Sequence, residues 1–519
     1  MMVCILRYIT IFYCLTAFCL LYCLGLSYEP YQVHNLIKQG KFPVTVDDIV
    51  FLIRSQKNPV HLKRAEQVKD DIEQQCRIQD LGQPSVVLLS EDVGSMGQWT
   101  ILPILPQIYN LHKNRKWIFL CEEESRVSVK GLLQVLSNYN WNKKMFLGKA
   151  LQDRNPTIIH HFRFHDDPSK FSYPDFEAGW LLSKPLFKSL VERWNKGVIT
   201  IDFSIDVKHE IAYFLWENGN GTTLTPIDEF CSGNIAVNAI PMTDTEIIDG
   251  LTTEVDLADT DKCVTSHPVE FQKCGEPVSL DDLFFGVKTC TKFHKDRVAV
   301  VQKTWGKYAK NIVFYSDTED KSIPTVSTGV PNTERGHCGK LYAIFNSFNN
   351  DENLQKFPWL VVTDDDTILS VSRLQQYLSC YDPTESVLLG ERYGFGFLKN
   401  GYGYDYLTGG GGMIFSRAAI TELLASGCKC RTNEDPDDMM VGSCARQNKL
   451  IITHTPLMHQ ARPNDYSKGF LGHQTPISFH KHWNNKPVQV YQDWFGKADS
   501  ELNIQHEYIE NSTENKDEL

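Results

Sequence analysis

Short runs of consecutive apolar residues, each stopped by polar or acidic residues, recur along the chain and set its fold class. Ser85–Ser90 (SVVLLS), Trp117–Cys121 (WIFLC), Leu283–Lys288, Asn311–Ser316, Trp359–Thr363 (WLVVT) and Ile451–Gln460 are too short for core helices. Their β-branched content predicts buried strands. Between them the apolar spacing turns helical. Residues 28 to 80 carry this patterning, with a charged stretch from His61 to Gln75. Leu102–Leu111 predicts a Pro-interrupted helix, Phe293–Trp305 one with Val298, Val301 and Trp305 on a single face, and Cys338–Phe345 a further one carrying Lys340. Strands alternating with helices predict an α/β fold, its sheet covered on both faces.

The pattern occurs twice. WIFLCEEES from Trp117 and WLVVTDDDT from Trp359 both run from a tryptophan through an apolar strand to three acids. At the same constant offset, VSVKGLLQVLSNY from Val127 parallels LSVSRLQQYLSCY from Leu369, and FLGKA from Phe146 parallels LLGER from Leu388. Further on, Ala178–Ser183 resembles Gly411–Ser416, and the helical stretches that follow are approached by Asp206 and Asp438. So long an ungapped register predicts two copies of one α/β domain in tandem. The expected organisation is a leader over residues 1–27, a first domain over 28–231, a linker over 232–282, a second domain over 283–497 and a tail over 498–519.

Composition narrows the compartment. A formal net charge of −12 and the want of a basic stripe exclude a nucleic-acid binder. The apolar run from Tyr8 to Leu26 predicts a signal peptide or an uncleaved signal anchor. The last four residues are KDEL, an address read by the KDEL receptor that returns luminal proteins to the endoplasmic reticulum. Asn220-Gly221-Thr222 and Asn511-Ser512-Thr513 are glycosylation sequons suited to that lumen. Of the 15 cysteines, Cys4, Cys14, Cys19 and Cys23 lie in the leader. The odd remainder predicts disulfide staples of undetermined connectivity with at least one thiol left over.

The candidate chemistry lies in the second copy. Asp364, Asp365 and Asp366 end a strand, and the carboxyl edge of an α/β sheet is where ligands bind. Three adjacent carboxylates repel one another unless a cation lies among them, and hard oxygen donors suit Mg²⁺ or Mn²⁺. Gly409–Gly412 precede an apolar strand, so backbone at Gly411 and Gly412 is free to approach a ligand closely. Tyr402, Tyr404 and Tyr406 offer faces or hydroxyls to a sugar. Asp437 and Asp438 open a helix, where capping competes with a general-base role. His459 is expected at a strand's exit, and Phe479-His480-Lys481-His482-Trp483 closes a pocket or packs.

WLVV-DDDT, GGGGM, PDDMMVG and PLMHQ occur in an order that resembles the inverting β-1,3-glycosyltransferases that include the Fringe enzymes, glycosyltransferase family 31. The resemblance is strongest from residue 283 to 495. It implies tandem GT-A-like domains, the first degenerate, a UDP-sugar donor, and Mn²⁺ (or Mg²⁺) held by the triplet. Asp366 would bind the metal, Asp364 and Asp365 the metal or ribose, His459 would be the late metal ligand, and Asp438 the catalytic base. Arg297 and Lys340 fall where donor-side basic residues are expected. RYGFG, SFHKHW and the KDEL tail resemble the endoplasmic-reticulum branch, which moves glucose from UDP-glucose onto O-linked fucose of thrombospondin type 1 repeats.

In the first copy Glu122-Glu123-Glu124 replace the aspartates, only Gly179 remains of the glycines, and Trp180 stands where the second copy has Met413. A non-catalytic relative of the same fold is the expectation. The competing readings are a retained glycan-binding lectin or folding factor without turnover, and the same enzyme class using UDP-galactose or UDP-N-acetylglucosamine.

Overall fold

A computed structural model describes residues 41–94, 97–197, 202–233, 262–269, 274–400 and 403–501. The leader, most of the linker, Tyr402, Asn511 and the KDEL tail lie outside the described residues. Among the described residues no helix is long and apolar enough to cross a membrane.

Two mixed sheets carry the fold, and they share one strand order. The first runs Ser85–Leu88, Ile49–Arg54, Trp117–Glu122, Trp180–Ser183, Phe146–Gly148, Thr225–Pro226. The second runs Ile312–Ser316, Leu283–Lys288, Trp359–Asp364, Met413–Ser416, Leu388–Gly390, Ile452–His454, with Thr325–Ser327 added outside the first of these. In each, the fourth strand is antiparallel to both neighbours and every other pairing is parallel. The register repeats as well. Trp117 pairs with Ile49 and Ser183, and Trp359 with Leu283 and Ser416. Both tryptophans are buried, which is why each copy keeps a large apolar residue at the start of its central strand.

Residues 49–54 depart from the expected helix. Ile49–Arg54 is a central strand, buried on both faces, and the helix starts only at Pro59, capped by the Asn58 side chain on Val60 N. A short apolar run has no period of its own, so the sheet on both sides decided its conformation. The helix expected from Phe293 begins at Arg297, where Asp296 caps it, and the one expected from Leu102 is a single 3₁₀ turn before Leu105–His112. The strand expected over Ile451–Gln460 stops at His454, just ahead of Pro456, which has no N–H to continue a ladder.

The halves pack on each other. Phe203–Ser204 of the first pairs with Arg392–Phe395 of the second in a small antiparallel sheet. Gln56 exchanges hydrogen bonds with the His454 backbone at 2.8 and 3.0 Å, and Trp99 Nε1 donates to Asp405 Oδ1 at 2.7 Å. One apolar cluster includes residues of both halves. Disulfides join Cys231 to Cys263, Cys274 to Cys380, Cys338 to Cys430 and Cys428 to Cys444. Cys76, Cys121 and Cys290 are buried free thiols.

Candidate active site

Strand pairing delivers charge to one edge of the second sheet. Lys288 is the last residue of its strand and lies opposite Asp364, the last of the next. Buried at 4% exposure, Lys288 sets its Nζ 2.9 Å from Asp364 Oδ1 and also donates to Asp437 Oδ2. Arg297, in the first turn of its helix, reaches Asp365 Oδ1 and Asp366 Oδ2, both at 3.0 Å. Thr289 Oγ1 donates to Asp365 Oδ2 at 2.7 Å. Two cationic side chains thus offset part of the charge of the three carboxylates. Burial, and then the neighbouring Asp366, push the Asp365 pKa up to about 6. Burial opposes the charge of Asp366, but His480 and Arg297 hold its carboxyl well below the usual range.

His480 enters from a strand far along the chain. Ser478–His480 pairs antiparallel with Thr367–Leu369, just past the triplet, and sets His480 opposite Thr367. Its Nδ1 lies 3.0 Å from Gln460 O, and its Nε2 lies 3.0 Å from Asp366 Oδ1 and 3.6 Å from Asp364 Oδ2. Donation from Nδ1 to a backbone carbonyl fixes the ring with Nε2 turned to the acids, the usual support of a metal-ligating histidine. Atoms of Asp364, Asp366 and His480 fall within 4.8 Å of one another, so two carboxylates and an imidazole fit a divalent cation.

The expected ligand His459 is not brought to this group. It lies in the loop past Pro456, 1% exposed, stacked on Phe479 at 4.9 Å, and lines a cavity between the two halves. Lys340 is also not brought to the triplet. It is buried, donates to Thr289 O and Asn332 Oδ1, and so holds the loop whose Thr289 hydroxyl grips Asp365.

The glycines are explained by protein contacts. A Cβ at Gly410 would come within 2.2 Å of the His480 ring, so this glycine admits the histidine. Gly412 has φ +101°, and its Cβ would meet Met458 at 2.8 Å. Gly411 N donates to Gln460 Oε1 at 3.0 Å. The close approach at these glycines is made by other parts of the same chain.

Asp437 and Asp438 begin the helix Asp437–Gln447 behind Pro436, and their environments differ. Burial works against the charge of Asp437, but Lys288 beside it keeps the carboxyl below its ordinary value. Burial and then repulsion from Asp437 push Asp438 up to about 7. Adjacent acids driven apart in this way divide their roles, one as a structural counter-ion and one as a proton acceptor near neutral pH. Tyr406 is buried and Tyr404 half-buried close to Asp438. Asn220 of the first sequon is exposed, as glycosylation requires.

The Fringe-like family model matches residues 106–213 and 278–514, one stretch in each half. A β-1,3-glucosyltransferase of Homo sapiens is 48% identical over 91% of this chain and 90% of its own length, and that of Mus musculus is 47% identical over 89% of each. The Fringe glycosyltransferase of Drosophila melanogaster is 30% identical over 38% of this chain and 51% of its own. The chain belongs to the Fringe-like family. It is a β-1,3-glycosyltransferase with two tandem GT-A-like α/β units, the first of them degenerate.

The first unit of this Fringe-like chain repeats the strand-end chemistry with its charges closed off. Arg54 pairs with Glu122 at 3.0 Å and Arg64 with Glu124 at 2.6 Å, while His61 bonds Glu123. A second metal-capable group in this unit, Asp153, His160 and His209, is spent internally. Both His160 nitrogens are engaged, by Asp153 at 2.5 Å and Asp206 at 3.0 Å, and its ring stacks on His209 at 3.9 Å.

Proposed function

We propose that the chain moves glucose from UDP-glucose to the 3-hydroxyl of O-linked fucose on thrombospondin type 1 repeats, with inversion, in the lumen of the endoplasmic reticulum. The observation that carries the chemistry is the contrast between Asp437, bound to Lys288, and Asp438, raised to about 7. The glucose assignment draws on the relatives named β-1,3-glucosyltransferase. The acceptor draws on the resemblance of RYGFG, GGGGM and SFHKHW, and the compartment on KDEL.

An acceptor hydroxyl is a poor nucleophile, so Asp438 takes its proton as the oxygen attacks the anomeric carbon. One displacement inverts configuration, and a single base suffices. Asp364, Asp366 and His480 would hold Mn²⁺ or Mg²⁺, which supplies charge neutralisation and Lewis acidity toward a diphosphate. Lys288 and Arg297 fix the carboxylates in place beforehand, and Thr289, held by Lys340, orients Asp365. Residues 28–231 form a non-catalytic partner unit.

The test is a radiolabelled-donor screen with Mn²⁺ against an O-fucosylated thrombospondin repeat. Transfer from UDP-glucose is expected. Transfer from UDP-galactose but not UDP-glucose overturns the donor assignment. Turnover lost on changing Glu122–Glu124 to glutamine, with folding intact, overturns the single-site reading.

A further inference from the structure

A cavity lined by residues of both halves lies between them. Its floor is the carboxyl edge of the first sheet, the counterpart of the acid-triplet site. Arg54 stands where Lys288 does, each ending its strand opposite Glu122 or Asp364. Thr265 opposite Val127 repeats Ser478 opposite Leu369, which places His267 in the position of His480. Thr265 Oγ1 donates to Ala178 O at 2.6 Å as Ser478 Oγ donates to Gly411 O at 2.5 Å. Glu177 therefore replaces Gly410, and its carboxylate lies 3.7 Å from His267. The first copy has kept a histidine beside its third acid, with Glu124 3.6 Å from His267, and has filled the glycine cradle.

The second half roofs this cavity. Glu123 Oε2 and Arg392 Nε have no hydrogen-bond partner among the described residues, while Glu177 Oε2 faces His267 Nδ1 at 3.7 Å and the His459 side chain bonds Gln474. Every one of these residues is at most 9% exposed. Buried polar atoms are nearly always satisfied, so an orphaned acceptor and an orphaned donor in one cavity mark a place built for a polar occupant. Trp99, Phe176 and Phe470 supply apolar walls.

The charge balance selects the class of occupant. Six carboxyl groups line the cavity against four fixed cations, and Arg54 and Arg64 are already paired with Glu122 and Glu124. That lining has no surplus cation to offer a nucleoside diphosphate. Hydroxyl groups donate and accept, so they match carboxylate and amide oxygens, an arginine Nε and imidazoles together. Aromatic walls with a few convergent polar groups suit a sugar ring. We propose that this cavity is a second carbohydrate site, binding a neutral saccharide without nucleotide or metal. It abuts the acid-triplet site. The His459 side chain lines the cavity while the adjoining Gln460 accepts from Gly411 N and bonds His480 Nδ1.

The test is saturation-transfer difference NMR on the full chain, free of metal and nucleotide. The probes are the methyl glycosides of α-D-glucose, β-D-galactose, α-D-mannose and α-L-fucose. At least one should give a signal that persists in the Asp364→Asn, Asp366→Asn double variant. The same signal should fall about fivefold in Gln474→Leu and in His267→Phe, the loss of one buried hydrogen-bonding group. No signal from any probe, a signal lost with the aspartates, or a signal unchanged in both cavity variants overturns the proposal. A crystal of the unaltered chain soaked in the best probe decides the matter if the variants do not fold. Density in the cavity supports the site, and density only elsewhere refutes it.

Discussion

Lys288 Nζ lies 2.9 Å from Asp364 Oδ1 across two paired strands. Because the same ammonium also binds Asp437, one buried cation stabilises the strand end and the helix start together. Lys288→Met leaves both carboxylates without it. Breaking a buried ion pair in this way costs about 3–5 kcal/mol, and turnover should fall on the order of 100-fold as the acids shift. Urea denaturation and initial rates measure the two effects. Stability and turnover both within twofold of the parent would show that the acids do not depend on Lys288.

Asp438 is raised to about 7 by burial and by Asp437. A general base works only when ionised, so kcat/KM should fall as pH drops through about 7. Asp438→Asn should lower kcat by about 10²–10⁴-fold and abolish that acidic limb. A variant that keeps the limb in its residual activity assigns it to another group.

His480 faces Asp366 at 3.0 Å, while His459 is stacked on Phe479. His480→Ala should weaken Mn²⁺ binding, read by electron paramagnetic resonance, and His459→Ala should leave it unchanged. Equal loss in both variants would contradict the geometry.

His160 sets a pH limit on stability. Burial opposes its charge, but bonds from Asp153 and Asp206 outweigh burial and raise its pKa to about 9. The folded chain thus holds this proton more tightly than the unfolded one. Its stabilisation is fully present below about pH 6.5 and is lost as pH rises through about 9. The shift corresponds to about 3 kcal/mol. Melting temperature should decline across that window in the parent and stay flatter in His160→Gln. Parallel curves would remove His160 as the cause.

The repeat was legible in the sequence because it is local. WIFLCEEES and WLVVTDDDT each specify a strand whose last residues are acids, whatever surrounds them. The structure places them on equivalent strands in the same register. Asp438 was legible for the same reason, as an acid opening a helix. Ile49–Arg54 was not, because five apolar residues and an arginine without a period suit strand or helix alike until neighbouring strands bond to both edges.

His480, Lys288 and the closed-off glutamates depended on pairing. Thr367–Leu369 and Ser478–His480 are separated by more than a hundred residues, and no local spacing shows that they form one ladder. The sequence alone determined two copies of an α/β unit with acids at a sheet edge, since strand propensity and side-chain type are properties of adjacent residues. Tertiary structure decided which cations and which histidines each acid meets. The partners of a carboxylate are whatever packing brings within a few ångströms, as Arg54, His61 and Arg64 are for Glu122–Glu124.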